Sequence, residues 1–201
     1  MSIKIGNIDV SYFKVGGADC SIYIGDVKMY PTTPPTPPAF EGKYKLTLSD
    51  SSTVSAECDA TSAITQAEIS AYTSTLVSAE IGGCVTSIGG AAFHSCSNLR
   101  SINIPSGVTS IGNQAFLNCY NISNGNNMII PSGVTSIGSQ AFKNCSNLTS
   151  MTILATTPPT LSNTNAFNGT TWPIYVPSGS VDTYKAADKW SSLSSRIQAI
   201  V

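Results

Sequence analysis

The chain has 201 residues, of which 41% are hydrophobic, so we expect one large domain, or one domain with a small appendage, and not a disordered chain. Only 10% of the residues are charged and the formal net charge is −1, which argues against a basic face for nucleic acid or a polybasic segment for lipid. With 30 serines and 21 threonines, hydroxyl groups must cover much of the surface.

Residues 1–30 predict two β-hairpins. Residues 3–10 and 22–29 repeat one pattern of alternating apolar residues, each with a Gly-Asn or Gly-Asp pair at its centre, which is typical of type II′ turns. A segment this short cannot bury enough surface to fold alone, so we predict that it docks to a partner or oligomerises. The predicted attachment residues are its alternating apolar positions: Ile3, Ile5, Ile8, Val10, Ile22, Ile24, Val27 and Met29.

The next two segments predict a linker and a cap. Residues 31–40 contain the run PTTPPTPP, which favours a semi-rigid polyproline II linker over an SH3-type ligand because no arginine lies nearby. Residues 41–75 are predicted to cap the domain, since the alternation across residues 44–56 indicates a hairpin. Thr65 and Glu68 have the spacing of a capping box at the start of a short helix.

Residues 76–180 contain an internal repeat. The motif V-T-S-I-G-x-x-A-F-x-x-C-x-N occurs three times, which places Phe93, Phe116 and Phe142 at steps of 23 and 26 residues. One such coil cannot bury its own apolar edge, so neighbouring coils must stack. Apolar strand positions at the same steps extend the array to five rungs: Ile81, Ile104, Ile130, Ile153 and Val176.

Each repeat predicts a strand, a turn and a single helical turn. The pattern L-x-x-I-x-I predicts a short strand with inward apolar residues, and the following Pro-Ser-Gly predicts a turn with Pro at position i+1 and Gly at i+3. In A-F-x-x-C, the i, i+3 spacing indicates one helical turn that places Phe and Cys in the core. Residues 181–201 are amphipathic and carry charge again, which predicts a C-terminal cap.

The spacing L-x-x-I-x-I-P-x-x-V-x-x-I-G-x-x-A-F-x-x-C resembles the BspA-like leucine-rich repeat over roughly residues 72–180. The resemblance implies a mainly β fold with short helical turns, arranged as a right-handed leucine-rich-repeat solenoid of about five rungs. It also implies adhesion or protein recognition, not catalysis.

The order of hairpin segment, stiff linker and repeat domain is similar to that of virion surface proteins of tailed phages that infect gut bacteria. This resemblance implies a fibre-type or decoration-type protein on the virion surface, present as a homo-oligomer or in several copies. Residues 1–30 would dock to other virion proteins, and the repeats would bind a glycan or protein on the host surface. The alternative is a bacterial cell-surface adhesin with leucine-rich repeats.

The cysteines are predicted to be thiols. No apolar run has the length of a signal peptide or membrane span, so we expect synthesis in the cytoplasm without a secretory route of its own. The repeated cysteines could form a redox or metal ladder, but buried thiols in the core are favoured. The six residues expected as thiols are Cys20, Cys58, Cys84, Cys96, Cys119 and Cys145.

Catalysis has little support in the sequence. No carboxylate lies between residues 81 and 181, so the repeats lack both the acid pair of a glycosidase and a local partner to orient His94. A hydrolase that uses His94 is a distant third class, and we expect this imidazole to be exposed because its position varies between repeats. We predict no enzyme activity, no metal site and no cofactor.

The outward strand positions form the predicted binding site. Amides and hydroxyls beside aromatic rings could bind neutral sugars there. The alternative is that Trp172 and Tyr175 only close the last rung. A further row, Asn98, Asn121 and Asn147, is expected to satisfy turn backbone groups. The predicted site residues are Arg100, Asn103, Ile129, Thr152, Trp172 and Tyr175.

Overall fold

The computed structural model describes the strands of residues 2–5, 8–12, 22–24 and 27–29 and all of residues 40–201. The chain divides into two compact units, residues 1–39 and residues 40–201. Four strands of the first unit form one sheet in chain order. They are β1 (Ser2–Ile5), β2 (Ile8–Tyr12), β3 (Ile22–Ile24) and β4 (Val27–Met29).

Both predicted hairpin pairings occur in the first unit. Ile5 lies opposite Ile8 in the antiparallel β1–β2 pair, and Ile24 lies opposite Val27 in β3–β4. Strands β2 and β3 also pair, which makes the sheet continuous. The predicted type II′ turns, the proline-rich run and the attachment side chains lie outside the described residues, so the predicted attachment role of this unit stays a prediction.

The second unit begins with the predicted hairpin. Strands β5 (Tyr44–Leu48) and β6 (Thr53–Ala56) pair antiparallel, and the Asp50 carboxylate accepts a hydrogen bond from the Ser52 backbone N–H in the turn between them. Helix α1 (Gln66–Ile69) follows and continues as the 3-10 helix Ser70–Tyr72. The Glu68 carboxylate accepts hydrogen bonds from the backbone N–H and the hydroxyl of Thr65, each at 2.8 Å, which confirms the predicted start of this helix.

Two sets of parallel strand pairs connect successive repeats. The first set is one five-stranded sheet, in which Ile88, Ile111, Ile137 and Leu161 stand in register. Its strands are β7 (Ala63–Ile64), β9 (Ser87–Ile88), β11 (Ser110–Ile111), β13 (Ser136–Ile137) and β15 (Thr160–Leu161). Because β7 pairs in parallel with β9, the repeat array begins before residue 76, inside the segment predicted as a cap.

The second set lies on another side of each repeat. Strand β8 (Leu76–Ile81) pairs antiparallel with β5 and parallel with β10 (Ser101–Ile102), and these three strands and β6 form one sheet. The later repeats form a second parallel sheet in chain order. Its strands are β12 (Asn127–Ile130), β14 (Ser150–Ile153), β16 (Ile174–Val176) and β17 (Ile197–Ala199).

Short helices occupy the remaining turns and the C-terminal end. Helix α2 (Val181–Ala186) lies in the predicted C-terminal cap, and β17 then adds one more strand to the stack. The 3-10 helices of this part are Asn124–Asn126, Thr164–Phe167, Ser178–Ser180 and Ser191–Arg196.

A ladder of phenylalanines forms the centre of the core. The rings of Phe93, Phe116 and Phe142 are fully buried and stack at centroid distances of 5.4 and 5.2 Å. Phe167 extends the ladder at 5.9 Å and packs against Trp190 of the C-terminal end at 5.7 Å. The predicted burial of the repeated phenylalanines is confirmed, and the fourth ring was missed because its repeat has a different spacing.

The predicted single helical turn is wrong in the three repeats that contain Phe93, Phe116 and Phe142. The segment forms successive tight turns with left-handed residues, such as Gln114 at φ 59° and Asn118 at φ 62°. In this conformation, alternate backbone N–H groups point at the next repeat, and the Phe116 N–H donates to the Ala141 carbonyl at 2.8 Å. These bonds between repeats compensate for the unfavourable φ of residues other than glycine.

The Pro-Ser-Gly turns are also shifted from their predicted position. The Val108 N–H donates to the Pro105 carbonyl at 3.0 Å, and the Val134 N–H to the Pro131 carbonyl at 3.2 Å. Proline therefore stands at position i of the turn, not at i+1, and Gly at i+2. Each turn therefore begins one residue later than the sequence predicts.

The expectation that every cysteine is a thiol is wrong for two of them. Cys58 and Cys84 form a disulfide that joins the loop after β6 to the turn after β8. The chain between them folds back so that β8 pairs with β5, and the two Cα atoms lie 6.2 Å apart. Cys20 lies outside the described residues.

A buried ammonium group lies in the same part of the fold as this disulfide. Lys43 is 1% exposed, and its Nζ contacts a carboxylate oxygen of Asp59 at 2.6 Å and one of Glu68 at 2.8 Å. The hydrogen bond from Lys43 holds the pKa of Asp59 well below its usual range. For Glu68, partial burial raises the pKa, but hydrogen bonds from Lys43 and Thr65 outweigh it and lower the pKa. Lys43, which directly precedes β5, thus joins the start of this strand to the loop after β6 and to helix α1.

Candidate functional site

The outward positions of the second set of strands form one surface, which we call the strand face. Pairing places Ile129 beside Thr152, Thr152 beside Tyr175, and Tyr175 beside Gln198. Glu80 and Asn103 lie beside each other in the sheet of the earlier repeats, because each follows a residue of the in-register pair Ala79 and Ile102. The steps of 23 and 26 residues are therefore matched by strand pairing within each of these two sheets.

The side-chain amide of Asn103 is hydrogen-bonded to the backbone of the preceding repeat. Its side-chain oxygen accepts a hydrogen bond from the Ile81 N–H at 2.6 Å, and its amide nitrogen donates to the Ile81 carbonyl at 2.8 Å. Asn124 makes the same two bonds to Ile102, at 2.7 and 2.6 Å. Each side-chain amide imitates a peptide group and extends the pairing beyond the end of the regular strand. Asn103 thus has a role in the fold, and its predicted ligand contact stays a prediction.

The N-terminal half of the strand face is a shallow polar depression. It has a volume of about 490 Å³ and lies over β8 and β10. Ser78, Glu80 and Ser101 line it together with the two asparagines. Glu80 is the last carboxylate before the stretch without acids, so this half carries the negative charge of the face.

The C-terminal half of the strand face is apolar at its surface. Ile129 is 51% exposed and Tyr175 is half-buried. The Thr152 hydroxyl between them accepts a hydrogen bond from the Asn127 amide at 3.1 Å, so its polar group already has a partner within the fold. Arg100 is exposed on the repeat before β12. Exposed apolar side chains beside a hydroxyl that already has a partner are suited to contact with another macromolecule.

Trp172 is not part of the strand face. It is 5% exposed, and its indole N–H donates to the Cys145 carbonyl at 3.2 Å. The guanidinium of Arg196 covers the ring, with its carbon 4.8 Å from the ring centroid. The predicted ligand role of Trp172 is therefore wrong, and its alternative, closure of the last rung, describes the structure. Tyr175, for which closure of the last rung was also the alternative, is partly exposed.

The repeated cysteines offer no reactive thiol. Cys96, Cys119 and Cys145 are free and fully buried, and burial raises the pKa of Cys96 and Cys145 to about 12. The Cys119 thiol donates to the Phe93 carbonyl at 3.0 Å. Their burial confirms the expected place of these cysteines in the core. A buried thiol that stays neutral at physiological pH is a poor nucleophile.

Two further polar positions were predicted from the repeats. Asn98 and Asn121 donate to the carbonyls of Ser74 and Ser97 in the preceding repeat, which confirms their backbone role. Asn147 instead donates to the side chain of Asn121 at 3.1 Å. His94, expected to be exposed, is half-buried.

Neither a metal cluster nor a membrane-spanning helix is found in the described part of the chain. No group of three His, Cys, Asp or Glu residues within it has an arrangement that could hold a metal ion. None of its helices is long and apolar enough to cross a membrane.

The stacked parallel strands, the recurring inward residues and the turn segments define a β-rich leucine-rich-repeat protein. The family model that matches is the BspA-type leucine-rich repeat region, with six copies over residues 65–178. This match covers more than half of the sequence, and the chain belongs to the BspA-type leucine-rich repeat family. The six copies exceed the five rungs counted from the sequence, and the match begins just after β7. No curated protein matches the chain.

Proposed function

We propose that this chain is a non-catalytic surface-binding protein whose repeats coil into a right-handed solenoid and recognise a glycan or protein on a host cell through the strand face. The observation that carries the proposal is the exposed apolar surface of Ile129 and Tyr175, which lie on either side of Thr152, whose hydroxyl is already hydrogen-bonded within the fold. Membership of the leucine-rich repeat family supports a binding or adhesin-like role.

The disulfide supports a place outside the reducing cytoplasm. Disulfides persist in oxidising environments, and Cys58 is exposed to solvent where cellular thiols could reach it. We therefore propose that the chain works on an exterior surface. This proposal fits both a virion surface and a bacterial cell surface.

Of these two surfaces, we propose the virion of a tailed phage, with residues 1–30 docked to other virion proteins and several copies present. The support is the division of the chain into a small first unit and a repeat unit joined by a proline-rich run. The alternative is a bacterial cell-surface adhesin of the same repeat family. Mass spectrometry of purified virions and of washed cell envelopes separates the two, because the chain would be found in only one of these fractions.

The strand face is tested by cell binding of the full chain. Ile129→Asp and Tyr175→Asp place a charge on the apolar row, and we expect each to reduce binding of the labelled protein to intact gut bacteria by tenfold or more, about 1.4 kcal/mol per tenfold. Tyr120→Asp is the matched control, because Tyr120 is 45% exposed in another part of the repeat. Equal binding of all three variants and the unaltered chain would show that the strand face is not the adhesive surface.

A further inference from the structure

Beside the strand face, a pocket opens where the fourth repeat departs from the others. In the second and third repeats, the outward strand leads into Pro-Ser-Gly, whereas β14 leads into the run LATTPPT, residues 154–160. This connection is one residue longer than the equivalent path from Ile130 to Ile137. The longer loop and the turn of the preceding repeat enclose a volume of about 470 Å³, which is within the ordinary range for small-ligand sites.

The pocket combines an apolar floor with a rim of hydroxyl groups. Its apolar part is formed by Val134, Leu154, Ala155 and Pro158, and Leu154 is 43% exposed. Its polar part is made entirely of hydroxyl side chains. They belong to Ser132, Thr135, Thr156, Thr157 and Thr160.

The rim hydroxyls are available to a ligand. Thr135 donates its hydroxyl to the Thr109 carbonyl at 3.2 Å, but the other four make no hydrogen bond to another group within residues 40–201. No charged side chain lines the pocket. An ionised ligand group would therefore lose water there without gaining a partner of opposite charge, so the site favours an uncharged ligand.

Two buried aromatic side chains hold the loop that forms the pocket by hydrogen bonds to its backbone. The Tyr184 hydroxyl donates to the Ala155 carbonyl at 2.8 Å, and the Trp190 indole N–H donates to the Pro159 carbonyl at 2.7 Å. Both aromatic side chains are buried, and adjacent prolines restrict the backbone between these two points. A site held this way needs little ordering when a ligand binds, which favours affinity.

We propose that this pocket binds one uncharged sugar unit of an oligosaccharide. The C–H face of the ring would lie on Leu154 and Pro158, and its hydroxyls would bond to Thr156 and Thr157. A sugar uses both halves of the lining, whereas a purely apolar ligand would leave the rim hydroxyls unpaired. The site is separate from Ile129 and Tyr175, so the proposal stands or fails independently of the strand face.

The test is a titration of the full chain with neutral tetrasaccharides of glucose, galactose, mannose and N-acetylglucosamine. Methyl NMR signals of Val134, Leu154 and Ala155 are followed up to roughly 10 mM sugar, a range that detects millimolar affinity. We expect at least one sugar to shift these methyls in a saturable way. The double variant Thr156→Val/Thr157→Val keeps the shape and removes two hydroxyls, and we expect about tenfold weaker binding.

Thr171→Val is the matched control, because Thr171 is an exposed threonine outside the pocket, and it should bind as the unaltered chain does. The proposal is overturned if no neutral sugar shifts the pocket methyls. It is also overturned if the double variant binds with unchanged affinity while its remaining spectrum shows an intact fold. Saturable shifts confined to Ile129 would assign sugar binding to the strand face instead.

Discussion

The ring of Phe116 has an aromatic neighbour on both sides, at 5.4 and 5.2 Å, and is fully buried. Replacing it with alanine leaves a cavity that the stacked repeats cannot close, because hydrogen bonds to both neighbouring repeats fix the backbone. We expect Phe116→Ala to lower the free energy of unfolding by about 3–5 kcal/mol, measured by urea denaturation.

The control lies in the same repeat. Tyr120 is aromatic and 45% exposed, so Tyr120→Ala should change the free energy of unfolding by no more than about 0.5 kcal/mol. If the two substitutions cost the same, the aromatic ladder is not a main source of stability.

The Lys43 cluster makes stability depend on pH. The pKa values of Asp59 and Glu68 are lowered in the folded state, so their stabilising contribution is present above the unfolded pKa of about 4 and is lost as pH falls through the lower folded values. The pKa of Lys43 is raised: burial lowers it, but the hydrogen bonds that Lys43 donates to the two carboxylates outweigh this effect. The ammonium therefore keeps its charge across the acid range.

Lys43→Met tests this cluster. The variant removes the ammonium and leaves two neighbouring carboxylates without their partner, so it should be destabilised at pH 7. Between about pH 5 and pH 2, its free energy of unfolding should fall less steeply than that of the unaltered chain. Parallel pH profiles of the two proteins would contradict the role assigned to Lys43.

At the scale of elements, the disulfide fastens the N-terminal hairpin to the first repeats. It closes a segment of 26 residues, and the chain-entropy model gives about 3–4 kcal/mol for a loop of this size. Reduction with a dithiol should lower the midpoint of thermal unfolding, and the Cys58→Ser/Cys84→Ser variant should start from the lower value and not respond to the reductant. This result separates the disulfide from other effects of the reductant.

Alkylation provides a direct check of the thiol states. In the native protein without reductant, Cys58 should not react although it is exposed, and Cys96, Cys119 and Cys145 should not react because they are buried. Unfolding without reductant should label only the latter three among these five. Labelling of native Cys58 would show that the bond is absent.

At the scale of the whole molecule, repetition explains what the sequence could predict. Residues that recur in phase, such as Phe116 and Cys119, have one environment in every repeat, so their burial follows from the period alone. Features that occur once carry no such information. The Cys58–Cys84 bond depends on the pairing of β8 with β5, which brings the segments after β6 and β8 together, and the fourth-repeat pocket exists because one connection is a residue longer.

The residues of the candidate binding site were only partly predictable, because the sequence pattern gives the face of a strand residue and not its contacts. Alternation gives the face on which a strand residue lies, and it placed Ile129, Thr152 and Tyr175 correctly. It does not reveal what a side chain contacts. The Asn103 amide bonds to the neighbouring backbone, and Trp172 is covered by Arg196, which lies 24 residues later in the sequence.

The second of the two units should fold without the first. Residues 40–201 contain the phenylalanine ladder, the disulfide and the Lys43 cluster, so this unit has its own hydrophobic core and its own stabilising cross-links. We therefore expect residues 40–201, produced alone, to unfold in one cooperative transition with the stability that this unit has in the full chain, as measured by urea denaturation. Limited proteolysis of the full chain should cut near residues 31–40 and leave residues 85–150 intact, since the sequence predicts a linker there and linkers are preferred sites of cleavage.

The same truncation separates folding from attachment. If residues 1–30 hold the chain on its particle through their strands, whose edges can pair with strands of neighbouring proteins, the truncated protein should fold normally but be absent from purified particles. Loss of attachment would also lower adhesion to cells, because weak individual contacts depend on several copies acting together at one surface. A truncated chain that still assembles would place the attachment function in the repeat unit, and one that fails to fold would show that the two units are not independent.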